Sequence, residues 1–184
     1  MYAPELTDED FAIILDKMKK IVSTNFDCER LRSNNSLDPE PDVIAANAFH
    51  LVVIENENFN GLSLKQVQDQ FRRWFEEHAA SKGLDTNNHL CLVVDSVSAR
   101  SILNAPEPSV DNATEGPTTA KIRVVDGQGD EFDEDVDESE NGGFMECYVV
   151  DLPDLYNSVV QMMLSMEELR PGSTTAGELP VFEA

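Results

Sequence analysis

Apolar residues recur at the spacing of an α-helix in three segments of the chain. Two of these segments begin with a capping box, formed by Thr7 with Asp10 and by Ser63 with Gln66, in which the paired side chains satisfy free backbone amides of the first turn. The third segment carries Leu155 and several methionines at the same spacing. The predicted helices cover residues 8–23, 64–82 and 155–166.

Four short apolar runs, rich in β-branched residues, have the pattern of strands buried on both faces of a sheet. They cover residues 49–54, 90–94, 122–125 and 145–150. The second predicted helix separates the first two runs, and this order predicts a β-α-β unit over about 49–95 with parallel strands and a right-handed crossover. The sequence therefore predicts one α/β domain over residues 1–170, in two or three layers, with a mostly parallel four-stranded sheet flanked by helices.

Three further segments lack the apolar residues that would bury them. Residues 104–120 are rich in Pro, Ser, Thr, Asn and Glu, and we expect a flexible linker there. Glycines stand at both ends of a strongly acidic segment, which predicts a disordered loop over about 127–143, inserted between the last two strands. Residues 171–184 have the composition of a disordered tail.

The excess of acidic over basic residues limits the kinds of partner that the protein is expected to bind. The 184 residues include 36 Asp and Glu but 13 Lys and Arg, which gives a formal net charge of -23 and a pI near 4.2. Direct binding to nucleic acid or to an anionic membrane is not expected, because phosphate contacts need clustered Lys and Arg. Partners that carry charge should be basic.

The same sequence gives an expectation for the compartment. No apolar run approaches the roughly 20 residues that a membrane span requires, and the first ten residues are acidic and do not resemble a secretory signal. The three cysteines, Cys28, Cys91 and Cys147, lie far apart, which favours free thiols in a reducing environment. We expect a cytoplasmic or nuclear protein that is not secreted.

The acidic segment has the highest charge density in the chain. Eight of its eleven residues from 130 to 140 are carboxylates, and such a run predicts a protein-interaction module that binds a basic protein surface. Two alternatives use the same residues, namely a DNA mimic that inhibits a nucleic-acid-binding protein, and a segment that serves solubility alone. The predicted partner-binding residues are Asp130, Glu131, Asp133, Glu134, Asp135, Asp137, Glu138 and Glu140.

An enzyme or small-ligand binder is the alternative from a different class. Asp95, Asp126 and Asp151 follow predicted strands, and parallel α/β sheets place their ligands at the carboxyl ends of the strands. Carboxylates paired there can bind a metal or act as acid and base. The competing interpretation is that aspartate follows strands because it favours turns.

No other motif predicts catalysis or a cofactor. The acidic segment lacks the Gly at position 6 and the Glu at position 12 of an EF-hand calcium loop, whether the loop is begun at Asp126 or at Asp133. His50, His89, Cys91 and Cys147 lack the close ligand pairs of a zinc site and are interpreted as core residues. The sequence therefore predicts no cofactor and favours a noncatalytic role.

Five short blocks of the chain form a pattern that is known from a protein family. They are residues 52–63, 92–95, 122–126, 148–150 and 155–159, and the first of them combines a strand, an acidic turn and a Gly-Leu-Ser helix start. These blocks, which cover about half the chain, resemble an uncharacterised family catalogued as domain of unknown function 6924. The resemblance implies an α/β fold, and it implies no catalytic residues because the family has no established activity.

Overall fold

The computed structural model describes residues 6–32, 61–82, 90–107, 119–127, 143–161, 164, 168–169, 179 and 181–182. Four of the sequence predictions lie wholly or mostly outside these residues. They are the strand at 49–54, most of the linker at 104–120, the acidic run at 130–140 and most of the tail at 171–184.

Both capping boxes are confirmed. The amide of Thr7 donates to Asp10 Oδ2 at 3.0 Å, and the amide of Asp10 donates to Thr7 Oγ1 at 3.1 Å. Ser63 and Gln66 exchange the equivalent bonds at 2.9 and 3.3 Å. The helices that follow are α1, Asp8–Arg32, and α2, Leu64–Lys82. α1 continues past its predicted end at residue 23 because no Gly or Pro interrupts the chain before Arg32.

The described sheet has four strands in the order β1-β2-β3-β4, and two of its three pairings are antiparallel. β4 pairs with β3 in parallel. The prediction of a mostly parallel sheet is therefore wrong. The strands are β1, Leu90–Val93; β2, Lys121–Asp126; β3, Phe144–Tyr148; and β4, Val181–Phe182.

A helix that the sequence analysis missed explains the antiparallel pairing of β1 and β2. This helix, α3, covers Ser96–Asn104 directly after β1. Ser98 Oγ accepts from the amide of Arg123 at 3.3 Å, and Ser101 Oγ accepts from the amide of Lys121 at 2.9 Å. α3 therefore advances along β2 in the direction in which β1 runs, and the chain enters β2 from the end at which it left β1.

The sheet is covered by helices on both faces. α1, α3 and the chain after β3 pack on one face, where Ile122 and Val124 point, and α2 packs on the other, where Val125 points. Buried members of the first cluster include Ile14, Met18, Ile21, Val22, Ile102, Met145, Cys147 and Leu155. Those of the second include Leu64, Val67, Val93, Val125 and Phe144. In this three-layer arrangement, α2 lies beside the C-terminal end of β2 and the N-terminal end of β3.

The chain after β3 departs from its predicted course in two places. It forms a short 3-10 turn and then α4, Leu152–Tyr156, which passes into a π-helical turn over Asn157–Gln161. Residues 171–184 are predicted to be a disordered tail, whereas Val181–Phe182 within them form β4 and bury Phe182 in the core. In the described part of the chain, no helix has the length and hydropathy needed to cross a membrane.

Candidate functional site

The carboxylate-rich segment lies between β2 and β3, two strands that are direct neighbours. The amide of Asp126 donates to the carbonyl oxygen of Gly143 at 2.9 Å, and Val125 pairs with Phe144 in the ladder. The chain therefore leaves the sheet and returns to it at one point. The predicted partner-binding residues at 130–140 lie outside the described residues.

Two side chains of α2 hold the point at which the chain leaves β2. Gln68 Nε2 donates to the carbonyl oxygen of Asp126 at 2.5 Å, and Arg72 Nε donates to that of Gly127 at 2.8 Å. Gln68 and Arg72 are four residues apart, and so they share one face of the helix. We call Gln68, Arg72, Asp126, Gly127 and Gly143 the root of the acidic segment.

The root is polar and yet well buried. Gln68 is fully buried, and its Oε1 has no hydrogen-bond partner among the described residues. Asp126 is 8% exposed. Arg72 places a guanidinium beside Gly127, the first residue of a connection that contains eight carboxylates.

The attachment of the acidic segment through Gln68 and Arg72 was not predicted from the sequence. A signal for Gln68 exists in the helical pattern, because it lies four residues after Leu64 and directly after Val67, on the side that packs on the sheet. A polar residue within an apolar stripe indicates a specific buried hydrogen bond. Its partner, a backbone carbonyl distant in sequence, carries no sequence signal.

Asp95, one of the three strand-end aspartates, is the N-cap of α3. Its Oδ1 accepts from the amides of Val97 and Ser98 at 3.1 and 2.8 Å. Its Oδ2 accepts from Arg123 Nη1 at 2.5 Å. Both oxygens therefore fix the chain after β1, which is the structural role that capping aspartates have in many helices.

The three strand-end aspartates do not share one edge of the sheet. In the ladder, Asp126 is opposite Leu90, which lies five residues before Asp95, and this separation is about 16 Å along the strands. Asp151 follows β3, which runs in the same direction as β1, and so it lies at the end of the sheet where Asp95 lies. The hypothesis of a pocket formed by all three depended on parallel strands, and the antiparallel register separates Asp126 from the other two.

The two cysteines of the sheet lie on opposite faces. Cys91 packs against the cluster beneath α2, and Cys147 is buried in the cluster beneath α1. Burial raises the pKa of the half-buried Cys91 thiol to about 11. Burial also raises the pKa of Cys147 well above its ordinary value, with smaller contributions from the carboxylates of Asp151 and Asp154. Both are protonated core thiols at neutral pH.

Within the residues that the structure describes, no three His, Cys, Asp or Glu side chains are grouped closely enough to hold a metal ion. His50 and His89, which were considered as zinc ligands, lie outside those residues.

Comparison with models of protein families, with curated proteins and with solved structures found no match for this chain. The resemblance to domain of unknown function 6924 stays a prediction.

Proposed function

We propose that this protein is a noncatalytic interaction module that binds a basic protein surface through the carboxylates at 130–140. The observation that carries the proposal is the root of the acidic segment. Asp126 and Gly143 are joined by a backbone hydrogen bond, and two side chains of α2 hold the same point. The eight carboxylates are thereby attached to one place on the folded body.

Attachment at one place matters because it concentrates charge. Carboxylates confined to a short connection create a stronger local potential than the same number spread over the surface, and such a potential increases the rate of encounter with a cationic partner. The interaction is expected to weaken with salt, since exposed charges are screened over about 8 Å at physiological ionic strength. Salt sensitivity is therefore a direct property to measure.

The test compares two variants that have the same net charge. In the first, the eight carboxylates of the acidic segment are changed to amides. In the second, eight exposed carboxylates elsewhere are changed in the same way, and this control keeps the acidic segment intact. The control positions are Asp8, Glu9, Asp16, Asp27, Glu76, Glu77, Glu107 and Asp154.

The probe is a fluorescent peptide of alternating lysine and glycine, titrated at low and at high salt. We expect the first variant to lose at least ten-fold in affinity at low salt, and the control to stay within about three-fold of the wild type, because local charge density sets the attraction. At high salt the three proteins should converge. Equal losses in the two variants would show that net charge alone attracts the peptide and would overturn the proposal.

A further inference from the structure

We draw no further inference here: the strongest candidate, the side-chain cluster of Lys121, Arg123, Glu146 and Tyr148 on the face of the sheet where α2 packs, pairs its two cations with Glu146 and Asp95 of the same chain, and nothing in the described residues shows what else would cover it.

Discussion

Lys17 Nζ donates a hydrogen bond to the carbonyl oxygen of Leu103 at 3.0 Å, and it also donates to the carbonyl oxygen of Ala105. Lys17 belongs to α1 and is 7% exposed, whereas Leu103 lies in the last turn of α3. A helix leaves its final carbonyl groups without intrahelical partners and carries a partial negative charge at that end. The buried ammonium group therefore caps α3 and joins it to α1.

Replacing Lys17 by Met should destabilise the fold by about 1–3 kcal/mol, because it leaves buried carbonyl groups without a donor. Denaturation by urea measures the change. Lys19→Met is the control, since Lys19 is exposed on the same helix, and a surface substitution of this kind changes stability by about 0.5 kcal/mol or less. Similar losses in the two variants would mean that the cap contributes nothing beyond helix propensity.

Two substitutions of Asp95 should destabilise the protein to different degrees. Asp95→Ala removes the N-cap of α3 and the ion pair together, whereas Asp95→Ser keeps a capping oxygen and removes only the ion pair. We expect Asp95→Ala to cost about 2 kcal/mol and Asp95→Ser to cost roughly half of that. Thermal unfolding, monitored by circular dichroism, ranks the stability of the wild type and the two variants. A Ser variant as unstable as the Ala variant would assign the effect to the ion pair alone.

The elements that sequence predicted correctly depend on local patterns. Thr7 with Asp10 and Ser63 with Gln66 lie within one helical turn, so their hydrogen bonds follow from spacing alone. Strand direction is different, since it depends on where the chain travels between strands. The prediction of parallel strands came from the strand-helix-strand order over residues 49–95, whereas α3, which leads the chain into an antiparallel β2, was not predicted.

The candidate site, like the fold, was only partly predictable from the sequence. The sequence locates the eight carboxylates, but the bonds that fix their root join Gln68 and Arg72 to carbonyl groups of residues 126 and 127, more than fifty positions away. Backbone carbonyl groups are identical in every residue and give no sequence signal. The interpretation of Asp95 as a turn-forming residue agrees with its capping role, whereas the pocket hypothesis required strand directions that only the structure provides.

Two serines of α3 accept hydrogen bonds from backbone amides of β2 at the last residue that pairs with β1, Arg123, and beyond it, at Lys121. Ser98 Oγ accepts from the amide of Arg123, and Ser101 Oγ accepts from that of Lys121. Ser98→Ala should accelerate hydrogen exchange at Arg123, and Ser101→Ala should accelerate it at Lys121, because each change removes a single acceptor. The exposed Ser96 supplies the control variant, Ser96→Ala. Acceleration at both amides in either variant would indicate general loosening of α3.

The raised pKa of Cys91 predicts a pH window for stability. Burial of the thiol raises its pKa from an ordinary value of 9.0 to about 11, so the unfolded chain loses this proton at lower pH than the folded protein does. The stabilising contribution is therefore complete below pH 9 and is lost as the pH rises toward 11. Urea denaturation of the wild type and of Cys91→Ala across this range isolates the contribution, because the other titrating groups are common to both proteins. The wild type should lose more stability than Cys91→Ala between pH 9 and 11, and parallel curves would show that the thiol has the same pKa in the folded and unfolded states.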